Sequence, residues 1–147
     1  MTPDIPRPVL KGKKALVIGV ANDSSIAYGC AKAFRELGAD VAITYLNDKA
    51  KPHVEPLARE LEASLFLPLD VAVPGALERV FEEVAAKWGK LDILVHSIAF
   101  APKEDLQGGL LNCSAEGFGI AMDVSCHSFV RMARLAAPLM QDGGTMF

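Results

Sequence analysis

Ala15 to Val20 reads ALVIGV, an apolar run with no polar face. A strand of that pattern must be covered on both sides, which restricts the chain to architectures in which a parallel sheet lies between helices. The residues that follow agree with this. Ile26, Cys30, Phe34 and Leu37 recur at helical spacing, and Gly38 stands where a helix stops.

The alternation then repeats. Asp40 to Tyr45 is expected to be the second strand, and Pro52 suits the first turn of a helix that buries Val54, Leu57, Ala58 and Leu61. Ser64 to Leu69 is expected to be the third strand. Pro74 then opens a helix with Leu77, Val80, Phe81, Val84 and Trp88 on its inner stripe, closed by Gly89, and Leu91 to His96 follows as the fourth strand. Ser97 to Cys113 contains Pro102, Gly108 and Gly109 and reads as a long loop with some local helix. Ser114 suits the N-cap of a long helix towards Met140, with Ile120, Val124, His127 or Ser128, Arg131 and Leu135 along its rows. Asp142, Gly143 and Gly144 end it, and Thr145 to Phe147 begins a fifth strand.

Repeated strand–helix units with right-handed crossovers predict an α/β, Rossmann-like, doubly wound parallel sheet. The expected organisation is a proline-rich lead over residues 1–9 and the N-terminal portion of a single dinucleotide-binding domain over 10–147. A chain that stops as a strand begins is expected to be part of a longer polypeptide.

Composition narrows the partners. With 51% hydrophobic residues the 147-residue chain has material for a core, and its net charge of -3 offers no footprint for nucleic acid or an anionic membrane. Lys11, Lys13 and Lys14 read as a solvated lead-in to the first strand. No apolar run approaches the roughly 20 residues of a membrane span, and the first ten residues lack a signal-peptide pattern. Cys30, Cys113 and Cys126 are widely spaced and form no CxxC pair, so neither a disulfide framework nor a metal site is expected, and a cytoplasmic location is.

The segment after the first strand, Gly19-Val20-Ala21-Asn22-Asp23-Ser24-Ser25-Ile26-Ala27, departs from GxGxxG spacing. It can still serve the same physics. Gly19 permits a sharp turn, Ala21 is small enough for a pyrophosphate to approach, Ser25 offers a hydroxyl, and the helix start supplies free N–H groups. Asn22 to Ser25 also suits a plain N-cap turn with no ligand. Position decides in favour of a nucleotide, because the turn follows the first strand of a parallel sheet, where open α/β folds bind ligands. Where an NAD site places an acid about 20 residues further on, this chain has Leu46, with no Arg or Lys there for a 2′-phosphate. NADH is therefore expected over NADPH, with Lys49 and Lys51 nearby.

GVANDSSIAYG at 19–29, TYLND at 44–48 and HSIAFAP at 96–102 together resemble the bacterial enoyl-acyl-carrier-protein reductases of the short-chain dehydrogenase/reductase superfamily. HSIAFAP discriminates, because most of that superfamily has an Asn-Asn-Ala-Gly type segment in its place. The resemblance runs from about Leu10 to Phe147 and implies NADH-dependent reduction of a trans-2-enoyl thioester on acyl carrier protein, in a homotetramer when full length. It implies that Gly19, Ser25 and Ile26 surround the pyrophosphate and nearby cofactor groups, beside the small Ala21 of the turn, that Leu46 lies beside the adenosine, and that Asp70 and Val71 hold the adenine. Ser97, Ile98 and Ala99 would line the nicotinamide channel, and Phe100 and Ala101 would border the acyl pocket. The family's catalytic Tyr and Lys fall beyond the position of Phe147.

Bland alternatives stand beside these. Asp70 also reads as an exposed loop acid, Phe100 as a core aromatic and His96 as a satisfied strand-end histidine. Cys126 and His127 read as packing residues, His53 as solvated, and Asp92 and Asp123 as isolated carboxylates. A non-catalytic nucleotide-binding module, and another short-chain dehydrogenase acting on a ketone or alcohol, are the competing functions.

Overall fold

The structure is a computed structural model that describes residues 8–147. Residues 1–7 of the proline-rich lead lie outside the described residues. Five parallel strands, β1 (Lys14–Ile18), β2 (Asp40–Tyr45), β3 (Leu65–Pro68), β4 (Ile93–His96) and β5 (Thr145–Met146), form one sheet in the order β3-β2-β1-β4-β5. The chain starts in the middle, winds outward through β2 and β3, then crosses back to β4 and β5. That reversal makes the sheet doubly wound.

Helices cover both faces. Against one face α1 (Ile26–Glu36) and α2 (Lys51–Glu60) enclose Ala15, Val17, Val41, Ile43, Val54 and Ala31. Against the other, α3 (Ala76–Trp88) and α6 (Ser128–Ala136) enclose Leu16, Ile18, Leu94, Leu77, Val80 and Met132. Alternate residues of β1 thus point into two separate cores, which is why its run carries no polar face. Each fully buried Leu, Val, Ile or Phe contributes roughly 1.5–3 kcal/mol of transfer free energy to these layers.

Several element bounds differ from expectation for local reasons. β1 ends at Ile18, because Gly19 turns out of the strand at φ 104°. α3 begins at Ala76 and not Pro74, because Gly75 adopts the left-handed region at φ 77° and its conformation is not helical. β3 and β4 are shorter than expected, each four residues. The 97–113 loop holds a short helix, α4 (Lys103–Gln107), and a 3-10 turn, Leu110–Asn112. Asp105 ties that region to the next helix by accepting the Ser114 N–H at 2.6 Å.

The expected long helix is interrupted. After Ser114, whose hydroxyl accepts the Gly117 N–H at 2.9 Å, come α5 (Ala115–Met122), a π-helical segment (Asp123–His127) and then α6. Its buried row is Ser128, Met132 and Ala136, each 0% exposed. Cys126 and His127 are exposed and do not pack; the His127 ring meets Asp123 at 3.1 Å.

Of the basic lead-in, Lys11 and Lys13 are exposed as expected, whereas Lys13 and Lys14 also carry ion pairs; Asp92 is a single carboxylate whose ion pairs are with lysines. Lys14 pairs with Asp40 and lies 5.7 Å from the Trp88 ring centre. The Asp92 carboxylate accepts the Lys14 N–H at 2.8 Å and pairs with Lys13 at 3.3 Å and Lys90 at 3.2 Å. Its backbone also bonds the first residues of β1 and β5. Burial alone would raise its pKa, but the Lys14 N–H and the Lys90 and Lys13 ammonium groups outweigh that and hold the carboxyl below its ordinary value. A folded-state pKa below the unfolded one stabilises the chain above the unfolded value and loses that contribution as pH falls through the folded one. Asp92→Asn is therefore expected to lower stability by about 1–3 kcal/mol at neutral pH. The gap in melting temperature should close as pH drops below about 4; a gap that persists in acid overturns the assignment.

Candidate functional site

The carboxyl ends of β1 to β4 converge on one side of the sheet, and every candidate residue lies on the segments leaving them. The tightest point is between β1 and β4, where the winding reverses. A Cβ built on Gly19 would lie 2.0 Å from the Ser97 carbonyl oxygen and 2.9 Å from Ile98 Cγ2. Gly19 therefore answers two demands at once, a positive φ and a backbone contact that leaves no room for a side chain. Ser97 N–H donates to the Ile18 carbonyl at 2.9 Å, and Gly19 N–H donates to Thr44 Oγ1 at 3.3 Å, so the turn is joined to β4 and β2 together.

From Gly19 the chain passes through exposed Ala21 to Ser25, the N-cap of α1. Ser25 Oγ donates to the Asn22 carbonyl at 2.7 Å and accepts the Tyr28 N–H at 3.4 Å. Asn22 Oδ1 accepts the Ser24 N–H at 3.0 Å. The N-cap turn is thus real, and it leaves the helix entrance free: the first turn holds no acidic side chain, and Ile26, 78% exposed, stands open to solvent. An exposed helix N-terminus with no anion of its own has the polarity that phosphate requires.

On the β2–β3 side a cleft of about 380 Å³ is lined by Leu46, Leu67, Pro68, Asp70 and Val73 together with Ala76, Arg79, Val80 and Glu83 of α3. Leu46 and Asp70, chosen from separate parts of the sequence, share it. Asp70 Oδ1 accepts the Ala72 N–H at 2.9 Å, and the residue lines the cleft. Val71 is buried, and its carbonyl accepts from Arg131 Nη1 of α6 at 3.1 Å. Arg79 was not foreseen, because reasoning from the β2 exit alone looks for a cation in the wrong segment. With Asp70 and Glu83 beside it, the cleft carries two acids to one base, a balance that opposes a 2′-phosphate.

The β4 exit passes from His96 through Ser97 and Ile98 to exposed Ala99 and Phe100. Phe100 is 54% exposed and is no core aromatic; Ala101 is half-buried beside it. His96 Nε2 lies 2.7 Å from Ser128 Oγ. Ser128 gives its one proton to the Val124 carbonyl at 2.7 Å, so the histidine carries the proton on Nε2. Burial holds this imidazole below its ordinary pKa, and its ring meets Phe129 edge-on at 5.5 Å, so His96 is a satisfied strand-end residue. His53 is exposed. Tyr28 and Tyr45 are each 7% exposed, Tyr45 against Phe66 and Tyr28 beside Glu60, away from the β4 exit. Among the described residues no group of three or more His, Cys, Asp or Glu gathers as metal ligands, and no helix is long and apolar enough to cross a membrane.

A five-stranded doubly wound sheet whose strand order reverses between β1 and β4 defines a Rossmann-like α/β protein. The chain belongs to the enoyl-(acyl carrier protein) reductase family, whose model matches residues 19–147. It is 45% identical over 138 residues to the NADH-type enoyl-[acyl-carrier-protein] reductase of Haemophilus influenzae, covering 93% of this chain and 53% of that protein. The NADH-type enzyme of Aquifex aeolicus is 44% identical over 133 residues, with 90% and 49% covered. Among solved structures, the enoyl-(acyl-carrier-protein) reductase of Anaplasma phagocytophilum in complex with NAD superposes with a TM-score of 0.88 at 43% identity, over 93% of this chain and 52% of that one. The chain spans about half the length of the curated relatives it matches.

Gly19→Ala is expected to cost about 3 kcal/mol or more, because strain and backbone overlap coincide. Ser25→Ala is expected to cost about 1 kcal/mol through the lost cap. Denaturant unfolding measures both, and a Gly19→Ala cost no larger than that of Ser25→Ala overturns the close-approach account.

Proposed function

We propose that this chain supplies the NADH-binding portion, residues 10–147, of an enoyl-acyl-carrier-protein reductase of type II fatty acid synthesis. The observation that supports the reading is that the Gly19–Ser25 turn, the Leu46–Asp70 cleft and the Ser97–Ala99 exit all lie at the carboxyl ends of one parallel sheet, with Gly19 against Ser97. In this reading Gly19, Ala21, Ser25 and Ile26 receive the pyrophosphate, Leu46 packs on the adenosine, and Asp70 accepts from the adenine amine while Val71 backs the ring. Ser97, Ile98 and Ala99 line the way to the nicotinamide, with Phe100 and Ala101 at the acyl side.

When bound, the nicotinamide supplies hydride to the β-carbon of a trans-2-enoyl thioester. This chain's own residues bind and orient. The stabilisation of the substrate's enolate oxygen, which needs an aimed donor, is assigned to a tyrosine and lysine outside these 147 residues, since Tyr28 and Tyr45 are buried elsewhere. The substrate partner is acyl carrier protein, the assembled enzyme is a homotetramer, and its compartment is the cytoplasm.

Calorimetric titration of the chain tests the reading. NADH is expected to bind without turnover of an enoyl thioester, and NADPH at least about tenfold more weakly because of the acidic cleft. Asp70→Ala is expected to weaken NADH by about tenfold, the scale of one hydrogen bond to a charged group. No NADH binding at millimolar concentration overturns the proposal, and NADPH binding as tight as NADH overturns the cofactor preference.

A further inference from the structure

The segment leaving β4 would be expected to wander. Ile98 to Ala101 has no secondary structure, and the Phe100 side chain projects mainly into solvent. Among the described residues the only hydrogen bonds to this stretch come from one side chain. Ser125 Oγ accepts the Phe100 N–H at 3.0 Å and donates to the Phe100 carbonyl at 3.1 Å. A hydroxyl has one proton and two lone pairs, so a single serine satisfies both main-chain groups of Phe100, as a neighbouring strand would.

The helix is shaped to allow this. His96, Ile98 and Phe100 follow one another along the segment that leaves β4. The His96 side chain meets Ser128, Ile98 shares a core cluster with Val124, and the main chain of Phe100, not its ring, meets Ser125. Val124 and Ser125 are adjacent in sequence, and on a regular α-helix their side chains would point about 100° apart. The π-helical segment Asp123–His127 widens the turn at this place. Val124 can then stay against the core while Ser125 reaches the exit segment. π-bulges recur at functional sites for this kind of local re-aiming.

We infer that Ser125 is a positioning residue, which fixes the Phe100 segment through its main chain and so shapes the nicotinamide end of the crevice. The inference rests on the proposed NADH-binding function. It assigns the geometry of the exit segment to one hydroxyl on the long helix, not to packing of the Phe100 ring. Ser125 touches no cofactor atom in this account, and its effect passes through Ser97 to Ala101.

The test compares Ser125→Ala, Ser125→Thr and Ser125→Val, the last two alike in shape but differing in the hydroxyl. Binding of NADH and of ADP-ribose, which lacks only the nicotinamide, is measured by calorimetry, and amide exchange at Phe100 by NMR. The Ala and Val variants are expected to exchange the Phe100 amide at least about tenfold faster and to bind NADH about tenfold more weakly. Their ADP-ribose affinity should stay within about twofold, and Thr should restore both readouts. Equal loss of NADH and ADP-ribose, unchanged exchange at Phe100, or Val behaving as Thr each overturns the positioning role. If Ser125→Ala does not fold, the Thr–Val pair decides. Failure of the wild-type chain to bind either ligand overturns the functional reading itself, whereas faster exchange at Phe100 with unchanged NADH affinity overturns only the role of Ser125.

Discussion

The contact on which the rest of the site depends is between main chains: Gly19 against the Ser97 carbonyl, where β1 and β4 leave the sheet. Neighbouring parallel strands normally carry their chains away on helices. Here the two chains depart to opposite faces and must first pass each other, so the crevice between them keeps its shape only while position 19 carries no side chain. Its width is therefore set by backbone geometry, and the surrounding side chains adjust chemistry without opening or closing it. The Gly19 N–H to Thr44 link extends the same constraint to β2, one strand further along.

The two ends of the sheet divide their tasks. At the amino ends Asp92, Asp40, Lys13, Lys14 and Lys90 form paired charges, with Asp92 bonding main chain in β1 and β5. Exposed pairs of this kind contribute about 0–1 kcal/mol each, so the main effect comes from the partly buried Asp92 and its backbone donors. At the carboxyl ends the exposed apolar side chains Ile26, Leu46, Val73 and Phe100 stand among polar loop residues such as Asn22, Asp23 and Asn47. Leaving them uncovered costs stability there, which the stapled end offsets. Rigidity at one edge and open apolar surface at the other suit a ligand that brings its own hydrophobic rings.

Much of this was legible in the sequence. The β2 bounds, the Ser25 and Ser114 caps, the α3 stripe and the winding all follow from periodicity and turn chemistry, because burial on two faces leaves so plain a pattern. Gly19 was legible as a turn, but its contact with Ser97 was not, since 77 intervening residues separate partners that meet only through sheet order. Arg79 and Arg131 reach the β3 exit from helices whose inner faces alone speak in apolar spacing. The π segment was invisible for a related reason. Asp123 to His127 is mostly polar, so one inserted residue shifts no hydrophobic repeat that a reader could follow.

That inserted residue also sets the phase of the helix on either side of it. α5 and α6 are two rotors on a single shaft, coupled through a slipped tooth. Deleting one residue between Asp123 and His127 would leave a smooth α-helix but turn α6 by about 100° relative to α5. Met132 and Ala136 would then swing out of the core they now fill, or Gly117 would leave its place against Asp105. The length of this stretch is thus held as tightly as any side chain in it, so chain length here tolerates less change than residue identity.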